Sequence, residues 1–351
     1  MKWNDFFSEI KDGNFRQAYL FTGPEDFVKR EALEKLRAAI LPVGLEALNE
    51  TVMEDVTADR IIAAAETMPM MCDRRLVIVR DFAPLMSGKS KDEENEAKQI
   101  IDWLNTPNSE CTLVFYMREE ADSRKKLATE LNKKGFTVTF DQLTDPEIAK
   151  WVNSRLKPFK KKMAAAAIQQ LVFTSGRELT RLDGELNKLI AYTGDRATID
   201  EVDIDAVVSP SLEYGAFDML NHLFDGDHQG AYRLLGLMLE RGGSRIAIIA
   251  SIARQLRGMS FMAIASEGGQ NVEETGRQLS LNAYAAKMMA QRARRYPAAG
   301  LEELYIAAID TDYAIKSGQM REAAALDRLF IKISSLSAKN VQPAARSARQ
   351  R

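Results

Sequence analysis

Residues 19–33, YLFTGPEDFVKREAL, carry the outline of a nucleotide-binding P-loop with its chemistry removed. An apolar run at 18–21 leads into Gly23, and a helix with Leu33, Leu36 and Ile40 on one face is expected to follow. In a working loop, GxxxxGK[ST], the second glycine lets the backbone close around the phosphates, and the Ser or Thr hydroxyl binds Mg²⁺. Counting from Gly23, the corresponding places here hold Val28, Lys29 and Arg30. A β-branched side chain fills the cradle, a guanidinium replaces the metal-binding hydroxyl, and the lysine alone survives. Any strand–turn–helix can also begin with a glycine, and it is the rest of the chain that weighs against that plainer reading.

With 351 residues, 46% hydrophobic content, 28% charge and a net charge of −2, the chain has the composition of an ordinary soluble protein. It is long enough for about two or three domains with buried cores. No run approaches the roughly 20 apolar residues of a membrane span. The first residues, MKWNDFFSEIKDGN, lack the apolar stretch of a signal peptide. Cys72 and Cys111 are too few for a disulfide framework or a zinc site, and His222 and His228 too few for His-based metal chemistry. The expectation is a cytoplasmic protein with no metal and no cofactor.

Local charge says more than the total. Residues 201–230 carry seven acids and no Lys or Arg, whereas 241–300 carry nine Lys or Arg and three acids. The end of the chain, 338–351, carries Lys339, Arg346, Arg349 and Arg351 and no acid. Such asymmetry fits a surface that meets a polyanion or an acidic partner, and equally fits solvated helix faces.

The first 140 or so residues alternate strand and helix patterns. After the opening unit come a mixed strand at 49–53, a helix with Ile61, Ala65 and Met68 at helical spacing, and two nearly continuous apolar runs at 76–79 and 112–117. Runs of that kind suit strands buried on both faces of a parallel sheet. A last strand at 136–140 follows a Lys-rich helix stopped by Gly135. Five strands with interleaved helices make a doubly wound α/β domain. The stretch SGKSKDEENE, 87–96, reads as a polar loop. From Thr144 the pattern becomes helical. Thr144 with Glu147, and Thr198 with Glu201, have capping-box spacing, and helices are expected near 164–174 and 178–193. Pro210 marks a boundary, after which amphipathic helices are broken at Gly226, Gly242–Gly243, Gly268–Gly269 and Pro297. The layout is an α/β core, a small helical lid and a helical C-terminal domain.

That layout with a spoiled P-loop resembles the AAA+ family and, within it, the delta-subunit family of bacterial DNA polymerase III clamp loaders. The resemblance rests on AYLFTGPEDF at 18–27, MPMMCDRRLVIVRDF at 68–82, DSRKKLATELNKKG at 122–135, RLDGELNKLIAYTG at 181–194 and DTDYAIKSG at 310–318, in this order. It implies an AAA+-like parallel-sheet domain at 1–141, a helical lid at 142–210, an all-α collar at 211–337 and a basic flexible tail at 338–351. It also implies binding to the ring-shaped sliding clamp (beta), assembly with gamma/tau and delta prime subunits in a hetero-pentamer, and primed DNA within that assembly. Such a chain holds the clamp open and has no ATP site, although as part of the holoenzyme it would be grouped with DNA-directed DNA polymerases.

Other AAA+ landmarks are absent. After the strand at 76–79, an active enzyme carries an Asp-Glu pair for Mg²⁺ and water; here stand Arg80 and Asp81, so the carboxylate position is lost. Clamp-loader ATPases resemble one another in a Ser-Arg-Cys motif before the last core strand, where this chain reads Lys133, Lys134, Gly135. Lysine lacks the planar fork of an arginine finger. Arg181 stands near the family's phosphate-sensing arginine, but its spacing to Glu185 favours a helix-surface pair.

The resemblance places the clamp-binding element at Met68, Met70 and Met71. Pro69 ends the helix, so Met70 and Met71 leave its periodic stripe, while Met68 also continues the Ile61–Ala65 stripe. Methionine is flexible and polarisable and suits a pocket contact, although the pattern alone equally allows core packing. Relatives often have bulky Leu or Phe at the positions of Met70 and Met71. For DNA, the candidates are Arg124, Lys125 and Lys126 in the basic segment 123–134, and Lys316, which would neutralise phosphates without reading sequence. Two rival readings remain at this point: a divergent nucleotide-dependent AAA+ ATPase using Lys29 and Arg30, and a DNA-binding adaptor with no clamp partner.

Overall fold

Parallel strands need a crossover between them, and in the first part of this chain helices supply it. The computed structural model describes the backbone of residues 1–88 and 90–347, and side chains as far as residue 335. In order come α1 (Trp3–Lys11), β1 (Ala18–Thr22), α2 (Asp26–Ile40), α3 (Glu46–Asn49), β2 (Glu50–Glu54), α4 (Ala58–Ala65), β3 (Arg75–Arg80), α5 (Lys91–Trp103), β4 (Cys111–Tyr116), α6 (Lys126–Lys133) and β5 (Thr137–Thr139). The five strands form one sheet in the order β2-β3-β4-β1-β5, every pairing parallel.

Both faces of that sheet are covered, which is why the central strands read as unbroken apolar runs. On one face Leu20, Val77, Val79, Leu113 and Phe115 pack with Ile61 of α4, Ile100 of α5 and Leu127 and Leu131 of α6. On the other, Phe6 of α1 meets Tyr19 and Phe21 edge-on, with ring centroids 5.1 and 5.0 Å apart. Such pairs add about 0.5–1.5 kcal/mol beyond their buried area. The sequence reading did not anticipate α1, because Trp3, Phe6, Phe7 and Ile10 sit among Asp, Glu and Lys without a capping signal.

A second compact unit runs from Asp145 to the end, the first being Met1–Thr144. It contains α7 (Asp145–Leu156), β6 (Lys162–Met163), α8 (Ala165–Ser175), α9 (Leu179–Thr193), β7 (Thr198–Ile199) and α10 (Glu201–Val207). The helices continue with α11 (Leu212–Phe224), α12 (His228–Glu240), α13 (Arg245–Glu267), α14 (Val272–Gln278), α15 (Ala283–Ala293), α16 (Ala298–Lys316) and α17 (Glu322–Ser347). The expected lid and collar fall inside this one unit: α8 packs against α15, and Asn282 Nδ2 donates to the Gln169 carbonyl at 3.3 Å. Leu301, Leu304 and Ala308 of α16 enter a core with Ile248, Ile252, Leu256 and Met259 of α13.

Three local expectations need correction. The stretch 87–96 is not all loop: α5 begins at Lys91, with the Ser90 hydroxyl accepting from the Asp92 N–H at 3.2 Å and Asp92, Glu93 and Glu94 in its first turn. Acids there interact favourably with the helix N-terminus, so a polar stretch can be helical. The capping box near 200 uses Asp200 and Asp203, because Thr198 is already committed to β7. The end of the chain is helical to Ser347 rather than a tail from 338; its side chains, and residues 348–351, lie outside the described residues.

Among the described residues no helix is long and apolar enough to cross a membrane, and no cluster of three or more His, Cys, Asp or Glu could hold a metal ion.

Candidate functional site

The joint between β1 and α2 is shaped like a phosphate cradle but is filled from within. Gly23 has φ +122°, and a Cβ there would lie 2.5 Å from the Phe140 carbonyl oxygen, so both backbone angle and close approach require glycine. A phosphate-binding loop works by aiming free N–H groups at its anion. In this loop Pro24 has none to offer, and the Glu25 N–H donates to the Phe140 carbonyl at 2.9 Å. Val28 and Lys29 are buried on the inner side of α2. The Lys29 ammonium donates to the carbonyls of Gly23 at 2.9 Å, Met117 at 2.6 Å and Arg118 at 3.0 Å. All three of its protons are thereby placed on the protein's own backbone. Burial lowers its pKa below the ordinary lysine value, while the carboxylates of Asp26, Asp81 and Glu25 act in the opposite direction.

Two carboxylates hold further parts of the joint. Asp26 accepts from the Tyr116 hydroxyl at 2.8 Å and pairs with Arg30 at 3.0 Å. Asp81, with φ +46°, accepts from the Arg118 N–H and guanidinium, both at 2.8 Å. Arg80 is exposed. The sequence reading found Gly23, Val28, Lys29, Arg30, Arg80 and Asp81, and the structure gathers Gly23, Lys29 and Asp81 around one point. It missed Pro24, Glu25 and Asp26, whose signal was available: a residue without N–H and two acids stand where a phosphate would need donors.

The second site is the loop between α4 and β3. Helix α4 ends at Ala65, before Pro69, so none of the three methionines lies on it. Met68 is 70% exposed, Met70 54% and Met71 83%, which removes them from the core. Met71 has φ +58°, a conformation uncommon outside glycine and asparagine. What fixes the loop is Asn49, itself fully buried at the end of α3. Its Oδ1 accepts from the Met70 N–H at 2.6 Å, and its Nδ2 donates to the Met70 carbonyl at 2.9 Å and to the Leu45 carbonyl at 3.1 Å. One side-chain amide thus replaces a strand partner for Met70. Nothing in the sequence near Asn49 signals this role. Asn49→Ala should therefore cost about 2 kcal/mol of stability, because it strands both backbone groups of Met70; denaturant unfolding measures it, and a loss within experimental error would mean that water holds the loop equally well.

The basic candidates are mostly engaged. Arg124, Lys125 and Lys126 come together at the start of α6, whereas Lys316 ends α16 in the other unit. Arg124 donates to both oxygens of Asp122 at 2.8 Å, and Lys125 reaches the Gly88 carbonyl at 2.7 Å and Glu93 at 3.1 Å. Lys316 pairs with Asp312 at 2.7 Å, and Lys126 is exposed. Lys133 pairs with Glu130, and Lys134 donates to Asn105 at 3.2 Å. Arg181 does not pair with Glu185 as its spacing suggested. It donates to the carbonyls of Ser209 at 3.1 Å and Pro210 at 2.8 Å, while Glu185 pairs with Lys188 at 2.5 Å and accepts from the Ser209 N–H at 3.1 Å. Both residues tie α9 to the segment before α11.

Residues 19–141 match the family DNA polymerase III, delta subunit, and residues 213–333 match the DNA polymerase III delta subunit, C-terminal domain. Over 340 residues the chain is 24% identical to DNA polymerase III subunit delta of Bacillus subtilis (strain 168), covering 96% of this chain and 98% of the relative. Its fold is similar to that of the solved Bacillus subtilis DNA clamp loader delta protein, at a TM-score of 0.58 and 23% identity, over 95% of this chain and 99% of that one. With both parts of one family matched in order on either side of the small helical segment, the chain belongs to the DNA polymerase III delta-subunit family.

Proposed function

We propose that this chain is the clamp-opening subunit of a replicative clamp loader, acting by binding and not by hydrolysis. The observation that carries the reading is the methionine loop: three large apolar side chains stand out from a rigid α/β domain, and Asn49 holds their backbone in place. Met70 and Met71 dock in an apolar pocket of one protomer of the sliding clamp, with Met68 at the edge of the contact. The sheet behind them then stabilises a clamp shape that closes poorly at an interface, so that the ring can be loaded on primed DNA. Partner subunits of the gamma/tau and delta prime kind supply the ATP-driven movement that exposes or withdraws this surface. The exposed apolar side chains Phe261 and Ile264 of α13, and Ile306, Ile309 and Tyr313 of α16, suit the helical collar in which those partners would join.

The filled cradle supports the absence of a nucleotide step in this subunit. An incoming phosphate would have to extract the Lys29 ammonium from three carbonyls and face the carboxylates of Glu25 and Asp26. Titration of Mg-ATP to about 1 mM into the chain should give no binding heat. Saturable binding in the micromolar range would sink this part of the proposal and favour the divergent ATPase.

A further inference from the structure

Exposed sulfur at a contact point is open to chemistry as well as to docking. We infer that Met70 and Met71 are oxygen-accepting modification sites, and that their conversion to methionine sulfoxide by a peroxide weakens clamp binding; the second half rests on the docking proposed above.

The two side chains are exposed for a structural reason. Asn49 anchors the Met70 backbone through both its N–H and its carbonyl, and the positive φ at Met71 turns the chain there, which fixes the backbone from which both exposed side chains project. Elsewhere Met117, Met163, Met219, Met259, Met262 and Met289 are buried. A small oxidant therefore meets the loop long before it meets the core. In the reaction the thioether sulfur attacks one oxygen of hydrogen peroxide. A sulfur–oxygen bond forms and the oxygen–oxygen bond breaks. Sulfur loses two electrons, and the remaining peroxide oxygen leaves as water after taking up the proton. The product carries a strong acceptor oxygen at a position that must enter an apolar pocket. Burying such a group without a donor is unfavourable, and the polar side chain no longer fits the contact.

The test treats the full chain with hydrogen peroxide, quenches it, and adds dithiothreitol to reduce any disulfide or sulfenic acid formed at the nearby Cys72 thiol, with sulfinic and sulfonic acid at Cys72 followed by the same mass spectrometry. Peptide mass spectrometry then follows the added oxygen at each methionine, and clamp affinity is measured on the same samples. Met70 and Met71 should gain oxygen well before Met219 and Met259, and clamp affinity should fall about tenfold or more in step. The Met70→Leu, Met71→Leu variant, which has no sulfur at either position, should lose far less of its own untreated affinity on peroxide treatment than the native chain does. Oxidation of the loop no faster than of the buried methionines overturns the inference, as does unchanged affinity of the oxidised chain. Undiminished binding by the untreated Met70→Ala, Met71→Ala variant identifies the other failure, in which the docking reading itself is wrong and the inference falls with it.

Discussion

Replacing Met70 and Met71 together by alanine should weaken binding to the sliding clamp on the order of 100-fold and leave the thermal midpoint unchanged. Fully burying a methionine side chain is worth about 1.5–3 kcal/mol, so two at the centre of an interface account for roughly 3 kcal/mol or more. At about 1.4 kcal/mol per tenfold, that is the stated loss. Both side chains are more than half exposed in the free chain, so truncation leaves no cavity. Alanine retains the Cβ, so the unusual backbone at Met71 is no more strained than before. Had these methionines been core residues, each change would have cost about 2–5 kcal/mol of stability. Thermal unfolding and clamp affinity measured on one sample separate the two accounts. A collapsed midpoint would return the loop to the core, and full affinity in a folded variant would remove it from the interface.

Lys29→Ala should do the reverse of what it does in a working P-loop. There the lysine serves the nucleotide; here it serves the fold. Its removal leaves the carbonyls of Gly23, Met117 and Arg118 without their donor and opens a void beneath α2. Stranded buried acceptors cost about 1–3 kcal/mol each when water cannot reach them, and the void adds to that. A total near 3–5 kcal/mol is expected, enough to lower the unfolding temperature of the domain by about 10 °C or more. Lys29→Met would refill the volume and recover part of the packing, but not the hydrogen bonds. An alanine variant as stable as the native chain would show that the ammonium does not brace the joint.

The sheet was legible in the sequence because β1, β3 and β4 are buried on both faces and so read as continuous apolar runs. The edge strand β2 was harder, since its Val52 and Glu54 face outward, and its bounds shift by one residue from the expected 49–53. The departure from the P-loop pattern was readable at Val28 and Arg30, but the way Lys29 is held was not. Lys29 looked like the one surviving functional residue, and only three-dimensional proximity reveals that carbonyls 88 and 89 positions further along the chain accept its protons. Asn49 was silent for the same reason: its partner Met70 is 21 residues away, and no local pattern joins them. Arg181 shows the opposite failure, where a helical spacing suggested a neighbour and tertiary carbonyls won.

Strand order has a consequence for how the chain is made. β1 is the first strand to be synthesised, yet it pairs only with β4 and β5, at Ala18↔Leu113 and Leu20↔Thr137. Until that later sequence has left the ribosome, the apolar segment AYLFT has no partner on either side. At a translation rate of about 5–20 residues per second, the wait is on the order of 10 s. β2 and β3 can pair with each other during this time, but the centre of the sheet stays open. Nascent chains of this protein halted before β5 should therefore be the ones that chaperones and proteases find.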